Sequence, residues 1–335
     1  MNNTLYLVIP CYNEEAVLHE TASQLLNITK SMIEKEMISQ TSKILFVNDG
    51  SKDKTWEIIE QLHKQNPIFC GVCLSRNKGH QNALLAGLMT AKDYADIVIS
   101  LDADLQDDIN AIPKMVEQYK QGYEIVYGVR CSRTKDTFFK KFTAEGFYKF
   151  MKLLGVDIVF NHADYRLMSK QALDALSQFE EVNLFLRGIV PLIGFKSTTV
   201  EYERNERFAG ESKYPLKKML AFAFDGITSF SVKPIRLISA LGVIIAVLSI
   251  VGLLYALIFL ISLIVLIVFI CLKYTGVTVS GWTSIVASIW MIGGIQMLCL
   301  GIIGEYIGKI YNETKKRPRY IISKVILDKE NSLHG

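Results

Sequence analysis

Two carboxylates one residue apart, Asp102 and Asp104, directly follow the apolar run 97–101. A short apolar run is typical of a buried strand, and doubly wound α/β folds bind ligands at the carboxyl ends of such strands. Carboxylates suit Mg²⁺ or Mn²⁺, whose coordination is completed by water and substrate phosphates. The spacing therefore predicts a divalent-cation site at a sheet edge. The alternative is an acidic start to the helix predicted over 109–119.

Polar residues also follow the other strands that the sequence predicts. Apolar runs predict strands over 5–9, 43–47, 68–74, 96–101 and 124–128. Strands that alternate with helices favour an α/β fold, with a mostly parallel sheet covered on both faces. Because parallel strands end at one edge, the polar residues behind them should converge on one crevice of nucleotide size. These residues are Tyr12, Asn13, Glu14, Asp49, Gly50, Ser51, Arg76, Asn77, Lys78, Gly79, Asp102 and Asp104.

The same loops lack the glycine patterns of two common nucleotide sites. Neither Gly-x-Gly-x-x-Gly nor Gly-x-x-x-x-Gly-Lys-Ser/Thr occurs, which disfavours dinucleotide and P-loop chemistry. Gly50 and Gly79 would let backbone N–H groups approach a ligand, or would serve tight turns.

Two long apolar segments set the second half of the chain apart. The chain has 335 residues, of which 50% are hydrophobic, and a net charge of +4. No charged residue occurs in 237–272 or in 282–304, and each segment exceeds the roughly 20 residues that cross a bilayer. Basic residues flank the pair on both outer sides, whereas the connecting loop carries only Lys273. By the positive-inside rule both flanks are cytoplasmic, so we expect two spans.

This pattern predicts four regions: a cytoplasmic domain over 1–214, an interfacial amphipathic segment over 215–234, two spans over 235–304 and a basic cytoplasmic tail over 305–335. Segment 216–232 mixes lysines with phenylalanines, as in a helix on the bilayer surface or an ordinary amphipathic packing helix. We expect a multi-pass protein of the inner cell membrane with its large domain in the cytoplasm. The membrane is an expected partner and nucleic acid is not.

The motifs at the predicted crevice resemble those of family-two glycosyltransferases with the GT-A fold. The similar segments are Ile-Pro-Cys-Tyr-Asn-Glu at 9–14, Val-Asn-Asp-Gly-Ser at 47–51, Arg-Asn-Lys-Gly at 76–79 and Leu-Asp-Ala-Asp-Leu-Gln-Asp at 101–107. Segments 210–214, 224–230 and 304–308 narrow the resemblance to polyisoprenyl-phosphate glycosyltransferases, such as bactoprenol glucosyltransferases and dolichol-phosphate mannose synthase. Many members carry a Pro-rich turn where this chain has 107–110, which leaves the role of Asp107 open.

The resemblance, which runs from about residue 4 to residue 322, implies both a fold and a reaction. The fold is a GT-A, Rossmann-like domain with a mostly parallel sheet, followed by interfacial helices and two transmembrane helices. The reaction is an inverting transfer of a sugar from a nucleotide diphosphate sugar, a UDP-linked hexose, to a polyprenyl phosphate at the cytoplasmic face. Undecaprenyl phosphate is the expected acceptor. Relatives also suggest a homo-oligomer, a tetramer packed through the spans.

The resemblance further assigns residues to the donor. A cation, Mg²⁺ or Mn²⁺, would be held by Asp102, Asp104 and Gln106. The nucleotide would lie against Pro10, Tyr12, Glu14, Asp49 and Asp102.

A phosphate acceptor changes what catalysis requires. A phosphate monoester is largely ionised near neutral pH, because its second pKa is about 6, and it needs little help from a general base. It does need cations to position it, and arginine matches phosphate oxygens well. We predict this role for four side chains, each of which taken alone could be a surface charge: Arg130, Arg133, Arg207 and Lys213. Asp164, a predicted catalytic residue with Asp104, matches a family carboxylate proposed to orient or deprotonate the acceptor, and we favour orientation.

Two other functions share some of these features. A processive polysaccharide synthase would have a similar donor site, but its Gln-x-x-Arg-Trp motif does not occur here. A membrane scaffold or lipid translocator that only senses nucleotide sugars would not need intact carboxylates.

Overall fold

The computed structural model describes residues 2–130, 162–182, 185–203 and 282–327 and, with gaps, 235–251. The interfacial segment and most of the first span lie outside these residues. The chain divides into two compact units, Met1–Gly226 with Asn312–Gly335, and Ile227–Tyr311.

The described part of the first unit alternates strands and helices along most of its length. In chain order the elements of the described residues are β1 Leu5–Cys11, α1 Leu18–Glu34, β2 Lys43–Asn48, α2 Thr55–Gln65, β3 Phe69–Leu74, α3 His80–Ala91, β4 Ile97–Ser100, α4 Ala111–Lys120, β5 Ile125–Arg130, β6 His162–Ser169, α5 Lys170–Ser177, α6 Leu186–Leu192, β7 Ser197–Tyr202, α7 Trp282–Thr314 and β8 Ile322–Ile326. The five predicted strands are present, with bounds that differ by at most two residues.

The described strands form one mixed sheet in the order β7-β5-β6-β4-β1-β2-β3-β8. Six of them run parallel, whereas β6 and β8 run antiparallel to their neighbours. The prediction of a mostly parallel sheet is confirmed for these residues, but β6, β7 and β8 were not predicted. Strand β8 comes from the segment predicted as a cytoplasmic tail, and it pairs with β3 from Leu74 to Gly71.

The centre of the sheet is buried on both faces. Every residue of β1 and β4 is buried, which explains why both strands are continuous apolar runs. Helix α3 packs closely on the sheet at Gly87, where a Cβ atom would lie 2.4 Å from Val8 Cγ1 and 2.6 Å from Val47 Cγ2. This contact fixes α3 against β1 and β2, and the helix begins at the carboxyl edge of the sheet.

Helix α7 is the one helix among the described residues that is long and apolar enough to cross a membrane. It has 33 residues and continues ten residues beyond the predicted span 282–304. Apolar side chains along it are exposed, among them Trp290, Met297 and Leu298. The described residues of 235–251 are helical as well. The count of two spans and the four domain bounds stay predictions.

Candidate active site

The loops after β1 and β2 are hydrogen-bonded to each other. The Asn13 N–H donates to Ser51 Oγ at 3.0 Å, and the Lys52 N–H donates back to Asn13 Oδ1 at 2.9 Å. The Glu14 N–H donates to Thr55 Oγ1 at 3.0 Å. These hydrogen bonds join the loops at the first two predicted strand ends into one wall of the predicted crevice.

Three residues predicted to bind the nucleotide lie on this wall. Pro10 is buried within β1, Glu14 is half-buried, and Tyr12 is 38% exposed. Tyr12 thus presents an aromatic ring to solvent at the carboxyl edge, as base stacking would require. Their roles as nucleotide ligands stay predictions.

Asp49, a fourth predicted nucleotide ligand, shapes the loop after β3. Its buried carboxylate accepts hydrogen bonds from the Lys78 N–H at 2.7 Å and the Gly79 N–H at 2.9 Å. Burial raises the pKa of Asp49 more than these two bonds lower it. Next to it, Gly50 has a φ of 62°, and a Cβ there would lie 2.5 Å from backbone atoms of the 76–79 loop. Gly50 therefore serves a close approach of two loops, whereas the sequence suggested an approach to a ligand or a tight turn.

Asp102, Asp104 and Gln106, the predicted cation ligands, lie half-buried on the loop after β4. The Gln106 N–H donates to Asp104 Oδ1 at 3.2 Å. Between them, Leu105 has a φ of 56°, a left-handed conformation that non-glycine residues rarely adopt. Such backbone strain is concentrated at functional sites in proteins.

Negative charge accumulates around Asp102. Desolvation in the crevice raises the pKa of Asp102 although its side chain is 39% exposed, His80 opposes the rise, and three carboxylates add to it, those of Asp107, Asp164 and Asp104. A divalent cation would relieve this repulsion, and carboxylates are the ligands it prefers. Among the described residues, no group of three or more His, Cys, Asp or Glu side chains is placed to hold an ion. Two carboxylates and Gln106 would leave further positions of a cation to water and substrate phosphates, and their role as ligands stays a prediction.

Asp164 lies on β6, the neighbour of β4, and is surrounded by cationic side chains. The Arg166 Nη2 donates to Asp164 Oδ1 at 2.6 Å, and Arg187 donates from Nε to Oδ1 at 3.3 Å and from Nη2 to Oδ2 at 3.2 Å. Burial by itself would raise the pKa of Asp164, but Arg187, His80 and Arg166 together hold it well below its usual value. Asp164 is therefore ionised at neutral pH and has little affinity for a proton.

His80, the first residue of α3, lies between the two acidic groups and was not predicted as a site residue. Its Nε2 is 3.6 Å from Asp102 Oδ1 and 3.5 Å from Asp164 Oδ2. Burial lowers the pKa of His80, but the hydrogen bond to Asp164 and the charges of both carboxylates raise it to about 9. An imidazolium at neutral pH therefore links the end of β4 to β6. The signal available in the sequence was its position directly after the 76–79 motif.

Arg187 was also missed, since nothing near it in the sequence resembles a motif. Arg130 is the one predicted acceptor ligand within the described residues, and its Nη2 donates to Asp107 Oδ1 at 3.2 Å. Arg133, Arg207 and Lys213 lie outside the described residues.

Residues 6–177 match the domain of Glycosyl transferase family 2. The chain belongs to this family, and its mixed sheet is a Rossmann-like GT-A domain. The protein is therefore a glycosyltransferase, as the motifs predicted.

Curated relatives extend the similarity over nearly the whole chain. The uncharacterized glycosyltransferase YkoT of Bacillus subtilis is 53% identical over 95% of this chain and 90% of its own length. A prophage bactoprenol glucosyl transferase homolog of Escherichia coli is 38% identical over 95% of this chain and 98% of its own length. The bactoprenol glucosyl transferase of Shigella phage SfII is 38% identical over 95% of this chain and 97% of its own length.

Proposed function

We propose that the protein transfers a hexose from a UDP-sugar to a polyprenyl phosphate, undecaprenyl phosphate, at the cytoplasmic face of the membrane. The transfer is a single displacement that inverts the anomeric centre. Relatives named bactoprenol glucosyl transferases, 38% identical over 95% of this chain, support this acceptor.

We assign binding of the donor's diphosphate to the loop after β4. Asp102, Asp104 and Gln106 would hold Mg²⁺ or Mn²⁺ against the diphosphate. The cation would supply a Lewis acid that offsets the charge developing on the leaving nucleotide. Tyr12 and the wall formed by the β1 and β2 loops would hold the base and ribose.

The contacts of the Asp164 carboxylate with Arg166, Arg187 and His80 are the observation that carries the proposal. A sugar hydroxyl needs a general base whose pKa lies near the working pH. Arg187, His80 and Arg166 instead keep the pKa of Asp164 well below its usual value, which makes it a poor base. A phosphate monoester arrives already ionised and needs orientation only. Asp164 meets that need by holding two cations, Arg187 and His80, at the crevice beside Asp102.

The path of the chain supports a membrane location with an even number of crossings. Strand β8 follows the apolar helix α7, yet it pairs with β3 of the catalytic sheet. The Ser75 N–H also donates to the Ile321 carbonyl at 2.9 Å. If α7 crosses the membrane, the chain must have crossed it before, because β7, which precedes the apolar region, and β8, which follows it, belong to one sheet. This agrees with two spans and a site in the cytoplasm, and we retain the homo-oligomer as a proposal.

Membranes that contain the full-length protein provide the test. They are incubated with radiolabelled UDP-glucose, UDP-N-acetylglucosamine or UDP-galactose, a divalent cation, and either undecaprenyl phosphate or undecaprenol. We expect label in the lipid extract with the phosphate acceptor and one donor, and none with the alcohol. Equal transfer to undecaprenol would contradict the phosphate acceptor, and a labelled polymer would point to a processive synthase.

A further inference from the structure

Asp107, for which the sequence offered no role, lies at the centre of a closed ring of hydrogen bonds. The Tyr202 hydroxyl donates to Asp107 Oδ1 at 2.6 Å, and the Arg130 Nη2 donates to the same oxygen at 3.2 Å. The Arg130 Nε donates to the Tyr202 hydroxyl oxygen at 3.2 Å. Each of the three side chains therefore contacts the other two.

The ring joins three separate elements of the fold. Asp107 lies on the loop that carries Asp102 and Asp104. Arg130 ends β5, and Tyr202 ends β7, directly opposite Arg130 in the strand register. The Tyr202 ring also packs edge-on against Tyr165, with ring centroids 5.2 Å apart. The Arg130 guanidinium is consequently fixed to the proposed cation loop.

Because it is buried, this charged arrangement joins the two strands at a higher energetic cost than apolar packing would. Asp107 and Tyr202 are both 3% exposed, and within the part of the chain that the structure describes Asp107 Oδ2 is buried without a hydrogen-bond partner. Well-packed apolar side chains of similar volume often stabilise a fold as well as a buried ion pair does. A buried carboxylate with an unsatisfied oxygen thus indicates a use for the charge that it holds in place.

Arg130 differs from its two partners in being partly exposed, at the carboxyl end of β5. Its side chain is 29% exposed, whereas Asp107 is covered. Burial alone would lower the pKa of Arg130, but Asp107 and Tyr202 raise it overall, so the guanidinium stays charged. A charged, oriented guanidinium is the group that phosphate oxygens bind best.

We propose that Asp107 and Tyr202 are positioning residues, which hold the Arg130 guanidinium in the one orientation that receives the acceptor phosphate. This inference rests on the proposed transfer to a polyprenyl phosphate. Since Asp107 belongs to the loop of Asp104, the ring also sets the separation between the acceptor phosphate and the donor diphosphate. In-line attack requires such a fixed separation, because small displacements of the reacting atoms slow it strongly.

The test uses the full-length protein in membranes with Tyr202→Phe, which keeps the packed ring and removes the hydroxyl. We expect the KM for undecaprenyl phosphate to rise about tenfold, the loss typical of one hydrogen bond to a charged group. The Kd of UDP in the presence of the cation should not change. Asp107→Asn, which removes the negative charge, should raise the same KM further. Thermal unfolding of each variant verifies that it is folded.

A double variant separates positioning from a general structural effect. In the Arg130→Ala background, Tyr202→Phe should not raise the acceptor KM any further, because its action passes through Arg130. Tyr123→Phe is the matched control, since its half-buried ring lies 4.4 Å from Lys196 Nζ and away from the crevice. This control should leave the KM unchanged.

The outcomes distinguish the two proposals. An unchanged acceptor KM in Tyr202→Phe, or an equal rise in both backgrounds, overturns the positioning role while the proposed function stands. Failure of the unaltered protein to transfer sugar to undecaprenyl phosphate overturns the proposed function, and the inference with it.

Discussion

Asp102 and Asp164 lie at the ends of two neighbouring strands, yet their surroundings are opposite. Desolvation and nearby carboxylates raise the pKa of Asp102, with only His80 opposing them. Three cationic side chains lower the pKa of Asp164, despite its burial. Negative charge therefore outweighs positive charge around Asp102, whereas positive charge outweighs negative charge around Asp164.

The two carboxylates are therefore expected to have different roles. Asp102, together with Asp104, is a place where a cation would be stabilising. Asp164 needs no further cation and acts through those that it holds. His80 contacts both carboxylates, so the two halves of the site are coupled through one imidazolium.

The largest effect on activity is expected for a substitution of Asp104, next to Asp102 on the proposed cation loop. Asp104→Ala should lower the rate of cation-dependent transfer at least about 100-fold, because it removes an electrostatic contact to the developing charge. Folding should be retained, since Asp104 is half-buried at a loop. Lipid-linked product is measured across a titration of Mn²⁺, with the exposed Asp93→Ala as the matched control. Unaltered activity of Asp104→Ala, or in excess chelator, would remove the cation from the account.

A substitution of Asp164, whose charge is compensated by cationic side chains, should mainly lower the stability of the protein. Asp164→Asn leaves the Arg166 guanidinium, whose side chain is 1% exposed, without its counter-charge. Removing one member of a buried ion pair destabilises proteins by about 3–5 kcal/mol. Thermal unfolding of the detergent-solubilised protein measures this loss, and Asp174→Asn, at a partly exposed pair with Lys92, is the control. A melting temperature equal to that of the unaltered protein would show that Asp164 does not anchor Arg166.

The same carboxylate should make stability depend on pH. Its pKa is lower in the folded protein than in the unfolded chain, where it is about 3.9. The stabilisation is thus fully present above about pH 4 and is lost as the pH falls towards the folded pKa. The difference in unfolding free energy between the unaltered protein and Asp164→Asn should therefore narrow below about pH 4. A gap of constant size down to pH 2 would be inconsistent with an ionised, ion-paired Asp164.

The smallest effect is expected for Arg187→Gln. Arg187 is 32% exposed, so solvent screens its pair with Asp164, and we expect a loss of about 1 kcal/mol or less. Because Arg187 is the largest cause that lowers the pKa of Asp164, the folded pKa should rise in this variant, and the acid loss of stability should be complete at a higher pH. Urea unfolding at several pH values measures both quantities. A loss as large as that of Asp164→Asn would mean that Arg187, rather than Arg166, carries the buried pair.

Local sequence predicted the five strands, β1 to β5, that are built from apolar runs. Strands β1 and β4 are buried throughout, so their sequences differ clearly from the loops around them. Strand β6 was missed because Asp164 and Arg166 interrupt its apolar character, and only the fold shows that the two charges pair in the interior. Strand β8 was missed because most of its side chains are exposed and it follows a basic segment.

For the site, too, only the part that is encoded in local sequence could be predicted. The spacing of Asp102 and Asp104 indicates an acidic strand end without knowledge of the fold. The contacts of Asp164 with His80 and Arg187 join residues that are distant in the sequence, and no local pattern reports them. The ring around Asp107 depends in the same way on the pairing of β5 with β7.

The central claim is that the acceptor brings its own charge and that the enzyme supplies no base. It is tested most directly by the pH dependence of kcat/KM for undecaprenyl phosphate and for its phosphorothioate analogue, whose second pKa is lower. The acid limb of such a profile reports the ionisation of free enzyme and free substrate. We predict that this limb moves to lower pH with the analogue. A limb that stays at the same pH for both acceptors would reveal a titrating base on the enzyme and contradict the account.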